Sequence, residues 1–308
     1  MLPITGWLKR KIADRQRAGT LEAKSPQFHD LISRPTRAEQ VATGFQFTEG
    51  PVWFAKEKFL LFSDIPANKV LKLTPDGRVT VFRQPSGNAN GLTLDKQGRL
   101  IACEHGNRRV TRTEVDGAVT VLADKYSGRR LNSPNDVVVK SDGTIYFTDP
   151  PYGIQPEQQE QPVRGVYRLL PGQSEPVLVA DDFKGPNGLA FSPDESRLYI
   201  DDSERRHIRL FDVQPDGRLS NSRIFKDMNI ESPGSPDGMK VDVQGNVYCT
   251  GPGGTWVLDK EGAHLGTIIT PELPSNCAWG DDDLQSLYIT ARTSVYKIRT
   301  NIPGMPLL

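Results

Sequence analysis

NSPNDVVVKSDGTIYFTD (132–149) is the stretch from which the fold can be read. The polar residue Asn135 follows a Pro and precedes a short apolar run, VVV (137–139). A turn, SDG (141–143), comes next, and then a second run rich in β-branched and aromatic residues, TIYFTD (144–149). In that run Ile145 and Phe147 fall on one side, Tyr146 and Thr148 on the other, the period of two that a strand requires. The unit reads as a β-hairpin, and it recurs. GNANGLTLDKQGRLIACE (87–104), KGPNGLAFSPDESRLYIDD (184–202) and GSPDGMKVDVQGNVYCTG (234–251) repeat it closely. FTEGPVWFAKEKFLLFSD (47–64) and SNCAWGDDDLQSLYIT (275–290) repeat it more loosely.

Each copy places one polar anchor before its first strand: Glu49, Asn90, Asn135, Asn187, Asp237 and Asn276, separated by 41, 45, 52, 50 and 39 residues. Further strand-like runs, RVTVF (78–82), AVTVL (118–122), IRLFDV (208–213) and WVLD (256–259), fall between the hairpins. No convincing amphipathic helix separates them. Strands at this spacing predict an all-β chain, a six-bladed β-propeller of four-stranded blades over residues 38–308. The 28 Gly and 24 Pro supply the many turns such a chain needs. The last repeat has room for only three strands before NIPGMPLL (301–308). EQVATG (39–44) is therefore predicted to close the last blade, because an open ring would expose unpaired strand edges. Residues 1–37 read as an N-terminal extension outside the repeats. Its stretch WLKRKIADRQRAG (7–19), with five basic residues and one acid, suits either a solvated extension or a helix that docks on an acidic partner surface.

Thirty-eight Lys and Arg balance 38 Asp and Glu, so no overall field attracts nucleic acid or an anionic membrane. The three cysteines, Cys103, Cys249 and Cys277, are odd in number and far apart, which predicts buried thiols and no disulfide framework or zinc site. No run approaches the about 18 apolar residues of a membrane span. MLPITGWL (1–8) is short and broken by Pro3 and Gly6, with its positive charges after it, unlike a secretory leader. The chain is expected to be unprocessed and cytoplasmic.

Equivalent positions around a ring point to one place on its axis, so the six anchors should converge. Their side chains, one Glu, four Asn and one Asp, are oxygen donors with two negative charges, the set a hard divalent cation such as Ca²⁺ prefers. Any single Asn-Gly or Asp-Gly pair also reads as an ordinary turn dipeptide. That reading does not cover Glu49 before Gly-Pro, or Asn135 before Asp136. Each hairpin's second strand should end beside the anchors, which brings CEHG (103–106) and TDPPYG (148–153) to the channel mouth. His105 and Asp149 thereby become candidate substrate contacts. No GxSxG elbow is present, and the four histidines form no HExxH.

FTEGPVW (47–53), LNSPNDVV (131–138) with TDPPYG, GPNGLAFSPDE (185–195) and SPDGMKVD (235–242) resemble the senescence marker protein 30 / gluconolactonase / luciferin-regenerating enzyme-like family. CEHGNRRVTRTE (103–114) resembles its bacterial gluconolactonase branch, and the likeness runs from about residue 27 to residue 300. The resemblance implies a six-bladed propeller that holds a divalent ion, usually Ca²⁺, in its channel and hydrolyses sugar lactones. By motif, Glu49, Asn187 and Asp237 would be metal ligands, and Asn135 a fourth ligand or a contact to bound water and substrate. Ser133 stands where animal members have a sugar-binding Arg, so substrate preference does not carry over; Arg130 and His105 are the candidate replacements.

On this reading the ion, Ca²⁺ or else Mg²⁺, Mn²⁺ or Zn²⁺, polarises the carbonyl of a small sugar lactone such as glucono-1,5-lactone. Asp237 is the first choice for the base that takes a proton from water, and Glu49 the second. No organic cofactor is required. Two alternatives stay open: a related propeller esterase or organophosphate hydrolase, and a non-catalytic, protein-binding propeller with a structural ion.

Overall fold

A computed structural model of the chain describes residues 18–307. Six antiparallel sheets surround one axis, the propeller that the repeats predict. The innermost strands are Thr48–Phe54, Ala89–Leu94, Val137–Val139, Pro186–Phe191, Met239–Val241 and Asn276–Gly280. Each pairs with the second strand of its hairpin: Phe59–Asp64, Leu100–Glu104, Ile145–Asp149, Arg197–Asp202, Val247–Gly251 and Ser286–Ala291. Blades one to five then add two outer strands from consecutive chain. Blade six takes its outer strand from the N-terminal side. Glu39–Thr43 pairs with Ser294–Arg299, Glu39 opposite Lys297 and Thr43 opposite Ser294.

The core is divided among the blade interfaces. Ile145 and Phe147 pack toward blade two with Ile101, Cys103 and Val110, whereas Tyr146 packs toward blade four with Leu189, Leu198 and Ile200. Both faces of these strands are covered, so alternation here sorts residues between two interfaces. All three cysteines are buried and unpaired, as expected. Among the described residues no helix is long and apolar enough to cross a membrane.

The described part of the 1–37 segment departs from a solvated extension. Thr20–Ala23 adds a fifth strand to blade five, Thr20 opposite Ile269 and Ala23 opposite Gly266. The helix Phe28–Leu31 follows, and Phe28, Leu31 and Ile32 lie in the cluster between blades five and six with Tyr248, Trp279 and Tyr296. Phe28 and Leu31, three apart, share one face of the helix, and Ile32 follows at its C-cap in extended backbone. The Phe28 ring lies so close to Gly266 that a Cβ there would meet it at 2.5 Å. The basic stretch 7–19 lies outside the described residues except for Ala18 and Gly19.

A hydroxyl near the end of the second strand ties several blades to the next. Ser63 Oγ donates to Asn90 O at 2.8 Å, Thr148 Oγ1 to Asn187 O at 2.8 Å, and Thr250 Oγ1 to Ser275 O at 2.8 Å. Ser275 Oγ donates to Thr48 O at 2.7 Å across the seam where the ring closes. These bonds fix the backbone at or beside the anchors, and so the axial spacing of their side chains.

Candidate functional site

The inner strands are irregular where they carry their anchors. Pairing slips between Glu49 and Val52, between Ala89 and Leu92, and between Pro186 and Leu189. In blades three and five the regular ladder begins only at Val137 and Met239, two residues past Asn135 and Asp237. Such bulges turn a side chain out of the pleat, here toward the axis. Blade six is the exception, with Asn276 in register opposite Thr290.

Gly follows four of the anchors for a reason other than a turn. A Cβ on Gly188 would sit 2.0 Å from Asp237 O, and one on Gly50 would sit 2.0 Å from Asn90 O. The next blade's anchor backbone occupies the space that a side chain would need. The turn-dipeptide reading of these pairs is thereby replaced by close approach around the axis.

Five of the six anchors, Glu49, Asn90, Asn135, Asn187 and Asp237, meet in a cavity of about 600 Å³ lined also by His105, Tyr152 and Ser203. A row of amides crosses it. Asn90 Nδ2 donates to Asn135 Oδ1, and Asn135 Nδ2 to Asn187 Oδ1 at 2.6 Å. Asn187 Nδ2 in turn donates to Ser203 Oγ at 3.0 Å, and Ser203 Oγ to Pro236 O at 2.6 Å. That relay ties down the NH₂ of Asn187 and leaves its oxygen toward the other anchors.

Burial, with Asp136 nearby, pushes the Glu49 carboxyl up to about 7 against the pull of the Gly50 N–H. Burial and the charges of Glu49 and Asp136 push Asp237 upward as well, well beyond the usual carboxylate range. Two carboxylates that resist sharing negative charge form a site that favours a proton or a cation. Among the described residues no three His, Cys, Asp or Glu side chains form a group that would hold an ion. Amide oxygens must therefore complete any shell, and two carboxylates with amides are the donors of a hard divalent ion. Glu49, Asp237 and the oxygens of Asn187 and Asn135 fit it.

His105 lies at the cavity wall with its Nε2 3.2 Å from Asn90 Nδ2, and burial pushes its pKa down to about 4, so it is neutral at pH 7. Two expected contacts lie elsewhere. Asp149 is fully buried below the mouth, where Asn132 N–H donates to its Oδ2 at 2.8 Å. It belongs to a repeated set: Asp64 and Asp202 likewise accept N–H groups from the loops leading into their own blades. Arg130 is exposed outside the cavity and donates to Asn107 O at 3.0 Å. Neither lines the cavity: loop capping engages the Asp149 carboxylate, and Arg130 lies on a surface hairpin.

The sequence reading brought strand exits such as TDPPYG to the mouth but singled out none of Tyr152, Ser203, Arg206 and Arg292 there, nor Asp136, Asp201 and Lys240 beneath it. Asp136 had a visible signal, as an acid in the place after an anchor where four other blades have Gly. Asp201 holds the blade-four place where Ser63, Thr148 and Thr250 carry hydroxyls. It is fully buried, with no hydrogen-bond partner on either oxygen among the described residues, and burial followed by the charge of Asp237 pushes its pKa up.

Comparison with known proteins shows the family. The model of the SMP-30/Gluconolactonase/LRE-like region matches residues 47–293. A gluconolactonase of Zymomonas mobilis is 35% identical, over 93% of this chain and 87% of that protein. A pentonolactonase of Haloferax volcanii is 30% identical, over 81% of this chain and 83% of that protein. The solved structure of a Xanthomonas campestris gluconolactonase superposes with a TM-score of 0.85 at 35% identity, covering 92% of this chain and 95% of that one. The matched region contains all six anchors, so the chain belongs to the SMP-30/gluconolactonase/LRE-like family.

Proposed function

We propose that this chain hydrolyses sugar lactones, opening a ring such as that of glucono-1,5-lactone to the aldonate with the help of Ca²⁺ or another divalent cation. The observation that carries the reading is the pair Glu49 and Asp237. Two carboxylates from blades one and five share one solvent-reachable cavity, each held above its ordinary pKa. Glu49, Asn187 and Asp237 would hold the ion, with Asn135 beside them. A cation bound there supplies Lewis acidity to a lactone carbonyl.

The chain's own groups carry the proton. Asp237, with Glu49 as second choice, takes a proton from the attacking water as its oxygen bonds to the carbonyl carbon. The ring C–O bond then breaks, and the same proton passes to the departing alkoxide. Neutral His105 lines the cavity wall where a sugar would lie, with the NH₂ of Asn90 held between its Nε2 and Asn135 Oδ1. Ser133 fills no substrate role here: its Oγ donates to Pro150 O and accepts from Gly153 N–H, both at 2.8 Å.

A pH-stat assay tests the proposal. Sugar lactones, an aryl ester and a phosphotriester are compared with and without chelator. Lactones are expected to be turned over fastest, and the chelated enzyme to lose that activity until a divalent ion returns. Full lactonase activity in protein shown to be metal-free would exclude the ion. A preference for the aryl ester or phosphotriester would move the substrate class.

A further inference from the structure

Asn276 faces the axis differently from the other anchors. Its Oδ1 accepts the Cys277 N–H at 2.8 Å and the Lys240 ammonium at 3.4 Å. Its Nδ2 donates to Glu49 Oε2 at 3.0 Å and to Asp136 Oδ2 at 3.5 Å. The amide is thus aligned end to end between a cation and two carboxylates, oxygen toward the charge that attracts it and NH₂ toward the charges that need donors. It has little room to turn, since a Cβ on Gly238 would fall 1.9–2.4 Å from the three outer atoms of the Asn276 side chain. Asn276 therefore offers the site N–H groups, and the six-oxygen ring read from the sequence has one donor fewer.

Lys240 projects from the inner strand of blade five, where Met239 and Val241 on either side are buried in the blade interface. Its Nζ also donates to Met239 O at 2.9 Å. Its positive charge acts on both Glu49 and Asp136, favouring their ionised forms. Asp136 is 3% exposed and its other oxygen accepts the Val137 N–H at 2.9 Å. A buried carboxylate so placed needs a counter-charge.

We propose that Lys240 is a positioning residue, a fixed internal cation that offsets Asp136 and, by gripping the oxygen of Asn276, holds that amide's NH₂ against Glu49. Asp136 is then offset within the floor of the channel, and Glu49 and Asp237 are left to face whatever enters from the mouth. The inference concerns the site proposed above for a lactone and its ion, but its main test needs neither.

The test is a double-mutant cycle of Lys240→Met and Asp136→Asn, read as melting temperature in chelator. Lys240→Met keeps most of the stem and removes the charge. It is expected to lower the melting temperature by at least about 3 °C, and adding Asp136→Asn should recover most of that loss. If Lys240→Met gives no soluble protein, rescue of folding by Asp136→Asn supports the pairing and failure of the double variant overturns it. Asp136→Asn having the same effect with Lys240 or Met at position 240 would also overturn it, because an ordinary packing role gives additive changes.

A kinetic arm completes the test. With lactone and divalent ion, Lys240→Met is expected to lower kcat at least tenfold and to move KM less than threefold. Loss of stability coupling with unchanged kcat refutes the positioning role. Intact coupling in a protein that turns over no lactone refutes the lactonase reading alone.

Discussion

The axis and the seam between blades five and six are built from the same chain on opposite terms. The seam is apolar and closed by segments distant in sequence: Thr20–Ala23 on blade five, Glu39–Thr43 on blade six, and Phe28, Leu31 and Ile32 wedged between. Burial there stabilises, at about 25 cal/mol per Å² of apolar surface removed from water. The axis collects Glu49, Asp136, Asp201 and Asp237, carboxylates whose pKa values all rise chiefly because burial opposes their charge. The axis costs stability, and the interfaces around it offset that cost. Stability and chemistry therefore occupy different places in this ring, and each should fail separately.

The largest expected effect breaks the seam. Removing residues 1–45 deletes the closing strand of blade six and the Phe28 wedge, and should leave no soluble folded protein. Among the described residues, removing 1–25 deletes the fifth strand of blade five, and should lower the melting temperature while leaving a folded ring. Circular dichroism melts of the two truncations decide the matter. Equal tolerance of both would mean that the ring closes without its N-terminal strands.

At the axis, Asp237→Asn keeps the size and one oxygen but removes the charge and the basicity. It is expected to fold, to melt no lower than wild type in chelator, and to lose about 10²–10⁴ in kcat. Assay at saturating Ca²⁺ separates base from ligand. Recovery of near-wild-type kcat there would assign the base to Glu49. Phe28→Ala should do the opposite, costing about 3–5 kcal/mol of stability while leaving kcat/KM of the folded fraction unchanged. A fall in kcat/KM from that substitution would tie the seam to the site.

A smaller effect follows from pH. In metal-free protein Glu49 and Asp149 are both raised to about 7, chiefly by burial. Each binds its proton more tightly folded than unfolded, so its favourable share is complete below the ordinary carboxylate range and is lost as pH rises through about 7. The melting temperature in chelator should fall between pH 5 and pH 8, and Glu49→Gln should flatten part of that slope. A rising curve would contradict the buried-carboxylate picture. The smallest effect is none: Arg130→Ala should leave kcat/KM as it was, because its guanidinium lies outside the cavity.

The sequence by itself determined the ring. Six hairpins with period-two alternation, each led by one polar anchor, leave few folds open, and a last repeat one strand short calls for Glu39–Thr43. It also determined which residues meet on the axis, because equivalent positions of a repeat must converge. What it did not carry was direction. Asn276 has the residue type of Asn187, yet one presents NH₂ to Glu49 and the other ties down its NH₂ on Ser203. That choice is made by Lys240 and Gly238 from the neighbouring blade. Asp149 read as a mouth residue because its strand ends there, but the loop N–H of Asn132 draws its carboxylate inward. Residues 1–37 read only as an extension outside the repeats, and nothing in that reading told that Phe28, Leu31 and Ile32 fill a wedge between blades five and six. Repeat period and residue type are properties of the chain. The orientation of an amide, the partner of a buried charge and the filling of a seam are settled only by neighbours that the chain brings together across the ring.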